Sequence, residues 1–120
     1  MEQRSETRTE REISILVQVQ SCKENSDLVG MSIPCQAIDF SRHGIRCRSE
    51  KLLTPGSLVR ITINVGDPFS MFLLLGEVRW EFEINGKLTM GLQLQDGADN
   101  DLKRWVEEFD TIFDEDLSLM

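Results

Sequence analysis

Two runs of alternating apolar residues meet at Asn85-Gly86, and this junction constrains the chain more than any other feature. Val78, Trp80, Phe82 and Ile84 alternate with charged residues before it. Leu88, Met90, Leu92 and Leu94 alternate with Thr89, Gly91 and Gln93 after it. A period of two sets one side of each run against a core. Asn-Gly supplies the two positive φ angles of a type I′ turn, so the segment predicts an antiparallel hairpin. Its first arm reaches back through the continuous apolar stretch Met71–Leu75 to Ser70. On this pattern Trp80 belongs to the apolar face and is a core residue rather than a stacking platform.

The rest of the chain repeats the theme. Ile13, Ile15, Val17 and Val19 alternate with Ser14, Gln18 and Gln20, and Val59, Ile61, Ile63 and Val65 alternate with Arg60, Thr62 and Asn64. Shorter extended stretches are expected over 32–38, where Pro34 suggests an edge or a bulge, and over 45–49. Polar or Gly/Pro-containing turns separate them at 21–30, 39–44, 54–56 and 66–68. Near the C-terminus the period changes. Leu102, Trp105, Val106, Phe109, Ile112 and Phe113 form one stripe of an amphipathic helix. Asp99 and Asp101 suit its positive N-terminal end. About six strands and one helix predict a mainly β domain, a small antiparallel barrel closed by the helix. The expected division is a flexible arm over 1–12, the barrel over 13–98, and the helix with an acidic tail over 99–120.

Charge narrows the function classes. The 120 residues carry a net charge of −8, concentrated in the last segment. No basic face is available for duplex DNA, so no nucleic acid polymer is expected as a partner. The longest uncharged apolar run falls far short of the ~18 residues of a membrane span. The opening stretch MEQRSETRTERE has no apolar core and does not read as a signal peptide. Cys22, Cys35 and Cys47 are three in number, so they cannot all pair, and none forms a CxxC. They read as small buried hydrophobes in a reduced, cytosolic setting. A single histidine excludes a zinc site built on several.

Local arginines can still hold a small anion. Arg4, Arg8 and Arg11 lie in the arm, and Arg42, Arg46 and Arg48 surround Gly44. The segment Asp39-Phe40-Ser41-Arg42-His43-Gly44 gathers a carboxylate, a hydroxyl and a glycine at one turn. Asp39 and Ser41 are two apart, so extended backbone projects them on the same side. Gly44 permits a positive φ and a close backbone approach. These residues suit a polar ligand, and they equally suit a plain turn. A base-to-nucleophile hydrogen bond among Asp39, Ser41 and His43 would need a special bend, so no enzyme is expected. Arg46 and Arg48 alternate with Ile45 and Cys47 and face outward, where they extend the basic patch or guard the sheet.

Asp39-x-Ser41-x-x-Gly44 resembles the (D/N)xSxxG motif of PilZ domains, bacterial receptors for cyclic di-GMP. The resemblance continues through Leu53…Pro55-Gly56, Gly76-x-Val78-x-Trp80 and Gly91-Leu92-Gln93-Leu94 before the helix. It implies a six-stranded barrel with a C-terminal helix. It also implies a second motif, RxxxR, upstream of the first strand, which Arg4 and Arg8 match and which Arg11 could support.

The implied function is that of a cytoplasmic adaptor that binds cyclic di-GMP as ligand, needs no cofactor, and signals to an effector protein in motility or biofilm control. Arg4, Arg8, Arg11, Asp39, Ser41, Arg42, His43 and Gly44 would form the site. Arginine can bridge a phosphate, stack on a purine and bind guanine O6/N7 as a fork. An arm carrying it would fold over a nucleotide seated on the turn, a disorder-to-order switch. The alternative is a scaffold of the same family that binds protein and not nucleotide.

Overall fold

The computed structural model describes residues 9–51, 53–65, 70–97 and 99–113. The strands are β1 (Thr9–Ser21), β2 (Ser32–Ser41), β3 (Gly44–Ser49), β4 (Leu58–Val65), β5 (Ser70–Ile84) and β6 (Lys87–Gln95), followed by α1 (Leu102–Phe113). All pair antiparallel and close a barrel in the order β1-β2-β3-β6-β5-β4. The six strands and the closing helix are those expected. β1 differs in starting at Thr9, so Arg11 lies on a strand and not in a free arm. Arg4, Arg8 and residues 114–120 lie outside the described residues.

Local chemistry explains the turns. Asn85 and Gly86 take φ of 51° and 77°, both positive as a type I′ turn requires. Gly56 follows Pro55 with φ 94°, and Ser57 N–H donates to the Thr54 carbonyl at 3.0 Å. Pro34 sits on β2 opposite Leu16 of β1, where β3 does not yet pair. Its missing N–H therefore breaks no ladder bond.

The interior is filled from every strand, with Val17, Ala37, Cys47, Ile61, Ile63, Phe72, Leu74 and Val78 fully buried. α1 covers the mouth formed by the end of β2 and the start of β5. There Trp105 meets Phe40, Phe72, Phe109 and Phe113 at centroid distances of 5.3–6.1 Å. Asp101 fastens the helix to the sheet: its N–H donates to the Leu73 carbonyl, and its carboxylate accepts from Leu73 N–H, both at 2.8 Å. This carboxylate therefore serves β5, while Asn100 Oδ1 accepts from Leu102 N–H at 2.8 Å.

The three cysteines are buried and free. Cys35 and Cys47 hydrogen-bond to each other, which lowers the pKa of the Cys35 thiol and, with burial, pushes that of Cys47 well above its ordinary value.

Candidate functional site

The site is positioned by a bulge. Ala37 pairs with Cys47 but Asp39 pairs with Arg46, so β2 spends one extra residue, Ile38, against β3. Strict alternation would put Asp39 and Ser41 on the side of Cys35 and Ala37, inside the barrel. The extra residue reverses the parity. Phe40 turns inward beside Ile45, while Asp39 shares the outer face with Arg46 and Ser41 with Gly44. Asp39 and Ser41 thus emerge on one side, as their spacing predicts.

Both are nonetheless covered, with exposures of 1% and 4%. Asp39 Oδ2 accepts a hydrogen bond from Arg46 Nη2, which makes a charged pair. Ser41 Oγ donates to the Gly44 carbonyl at 3.5 Å, a long contact. Glu10 pairs with Asp39 and Thr9 with Phe40, so β1 enters the barrel against the turn.

Arg42 and His43 form a two-residue hairpin between Ser41 and Gly44. Positive φ among the described residues falls at Gly30, Asn85, Gly56, Gly86 and Asp99. The left-handed conformation expected of Gly44 is therefore not used, and Gly44 opens β3 as an extended residue. His43 is exposed, and its carbonyl accepts from Leu94 N–H at 2.9 Å. Arg42 reaches α1, with Nη2 2.6 Å from Asp110 Oδ1 and its guanidinium 5.3 Å from the Phe109 ring centre.

A second bulge corrects the reading of Trp80. Val78 pairs with Leu92 but Trp80 with Gly91, leaving Arg79 as the extra residue of β5. Trp80 and Phe82 leave the core side and stack outside, with centroids 4.9 Å apart and planes at 21°. A Cβ on Gly91 would lie 2.2 Å from the indole, so only glycine lets the ring lie flat there. Gly91→Ala is expected to displace Trp80, lower stability by about 1–3 kcal/mol and red-shift tryptophan emission. Unchanged emission and melting would show that the ring does not rest on Gly91.

A row of residues consequently crosses the outer face from Asp39 through Arg46 and Gly91 to Trp80. The next row runs Gln36, Arg48, Thr89, Phe82. Beside it lies a pocket of about 210 Å³ lined by Ile38, Arg48, Asn85, Lys87 and Thr89. Carboxylate, guanidinium and indole in one line can hold a planar, hydrogen-bonding, anionic ligand.

Sequence reasoning overlooked the pairing of Arg46 with Asp39. A signal was available, because counting outward from a two-residue turn at Arg42-His43 sets Asp39 against Arg46. Reading 39–44 as an undivided turn hid that register.

This fold and turn define a small closed antiparallel barrel with a helix over its mouth. The PilZ domain family profile matches residues 2–109, and the chain belongs to that family. Two solved structures share the fold. One is the PilZ domain with c-di-GMP of YcgR from Escherichia coli, with TM-score 0.69 and 12% identity, covering 97% of this chain and 95% of that one. The other is the Bacillus subtilis inhibitor of motility, MotI/DgrA, with TM-score 0.68 and 17% identity over 89% of this chain. This chain spans about half, 49%, of the Bacillus protein's length. No curated protein matched the sequence. Among the described residues no helix is long and apolar enough to cross a membrane.

Proposed function

We propose that this chain is a cyclic di-GMP receptor that acts as an adaptor, closing its N-terminal arm on the nucleotide and presenting the new surface to a partner protein. The observation that carries the reading is the Asp39–Ser41–Gly44 turn, with both polar side chains on one outer face where β1 enters. Arginines of the arm supply what the turn lacks. Arg4 and Arg8, supported by Arg11, would meet the two phosphates and stack on the purines. Trp80 offers a further face for a base. Arg42 and His43 would border the ligand from the hairpin. The YcgR neighbour carries c-di-GMP on the same fold, and the Bacillus neighbour's name suggests motility as an output. A binding role of this kind requires no chemical conversion, and the cytoplasm is where the ligand would be met.

A second reading, a scaffold that binds protein without nucleotide, is favoured by one observation. Asp39 already has a charged partner in Arg46.

Calorimetric titration with cyclic di-GMP, with cyclic di-AMP as control, separates the two. Saturable heat with the guanine compound, weakening as salt is added, supports the receptor, and its stoichiometry gives the number of nucleotides held. A flat trace at high protein concentration turns the reading to the scaffold.

A further inference from the structure

β5 outruns its neighbour. It holds 15 residues against eight in β4, and its last partner on that side is Glu77, opposite Leu58. The Gly56-Ser57 turn then meets Val78: Gly56 N–H donates to the Val78 carbonyl at 2.7 Å, and Val78 N–H to the Ser57 carbonyl at 2.9 Å. Beyond Val78 the strand pairs with β6 alone among the described residues. The Asn85-Gly86 turn fixes which backbone groups are left over. Ile84 and Lys87 close it as a hydrogen-bonded pair, and alternation makes Phe82–Thr89 and Trp80–Gly91 the next two. Glu81 and Glu83 therefore aim their N–H and C=O groups away from β6, along an open sheet edge.

Such an edge is a template for another strand, and its side chains say which. Trp80 and Phe82 stack on one face, where Phe82 is 49% exposed. Glu81 and Glu83 take the opposite face, and neither carboxylate is ion-paired among the described residues. A second copy of this chain laid antiparallel on the edge would bring glutamate against glutamate, which disfavours self-pairing. A basic strand meets no such penalty. We propose that the free edge of β5 over 79–84 is a docking site for an extended segment of a partner protein in which basic and apolar residues alternate. The segment adds as an antiparallel seventh strand. Two basic residues lie opposite Glu81 and Glu83, and the apolar residue between them lies opposite Phe82 on the aromatic face. This edge is separate from the turn at Asp39, and the proposal does not depend on nucleotide binding.

The test titrates the full chain, followed by NMR, with an acetylated and amidated peptide Val-Lys-Val-Lys-Val at up to millimolar concentration. Two further peptides are methylated on backbone nitrogen, one at both lysines and one at the inner valine. The lysine amides face β5 in the proposed pairing, so methylating them should weaken binding roughly 10-fold or more, the worth of about two backbone hydrogen bonds. The inner valine amide points away, and its methylation should leave affinity within a few-fold. Bound parent peptide should slow hydrogen exchange at the Glu81 and Glu83 amides and leave Phe82, already bonded to β6, unchanged. Glu81→Gln combined with Glu83→Gln removes two cross-strand charge pairs and should weaken the parent peptide roughly 2- to 30-fold. If that double variant fails to fold, the methylated peptides on wild type decide. Equal affinity of the two methylated peptides would reduce the contact to attraction between a cation and an acidic protein and overturn the proposal. Slowed exchange on another strand, or no binding of the parent peptide, would overturn it too.

Discussion

On the receptor reading, Asp39→Ala should lower affinity for cyclic di-GMP by roughly 100-fold or more, since the charge-assisted hydrogen bonds that a ligand would make to this carboxylate, at about 1.5–3 kcal/mol each, are lost. The fold should survive. Arg46 is left without its carboxylate, but its side chain is 43% exposed and can return to water. Removal of one member of a fully enclosed pair would be far more damaging. Calorimetry and thermal melting on the same sample give the answer. Affinity within a few-fold of wild type would place the ligand elsewhere on the barrel. A collapsed melting transition would show that Asp39 holds the hairpin rather than the nucleotide.

Trp105→Ala should cost about 3–5 kcal/mol of folding stability, the range for removing a large buried aromatic. That is a substantial fraction of the 5–15 kcal/mol that separates folded from unfolded domains. The reason is the place of Trp105 at the centre of four rings contributed by β2, β5 and α1. Without it the helix loses its main anchor over the barrel mouth, although the Asp101–Leu73 bonds remain. Trp105→Phe should be much milder, within about 1.5 kcal/mol. The indole Nε1 is buried without a hydrogen-bond partner, so phenylalanine removes an unsatisfied donor. Urea unfolding of the two variants checks both. Equal losses would mean that shape and size at this position outweigh everything else.

Phe40 ties these two results together. It lies between Asp39 and Ser41 in the chain and packs on Trp105 and Phe113. The ring that anchors β2 to the helix also fixes the strand end from which the Arg42-His43 hairpin leaves.

Most of the architecture was legible in the residues alone, for local reasons. Asn85-Gly86 demands its turn because two successive positive φ angles exclude most other residues. The stripe from Leu102 to Phe113 demands a helix because no other backbone places those six residues on one side. The motif at Asp39, Ser41 and Gly44 was legible too, as was the shared side of the first two.

What the chain could not reveal was which side that is. Alternation assigns Asp39 and Ser41 to the face of Ala37, and Trp80 to the face of Val78. In the barrel Ile38 and Arg79 are each spent as an extra residue against a neighbouring strand, and everything beyond them changes face. A bulge is a property of two paired strands, so a single strand's sequence does not contain it. The pairing of Arg46 with Asp39 has the same origin, since it depends on register across a turn rather than on spacing along the chain. Strand, turn and helix follow from each segment's own chemistry; the outer row from Asp39 to Trp80 exists only once the barrel closes, because closure decides which residues are opposite one another.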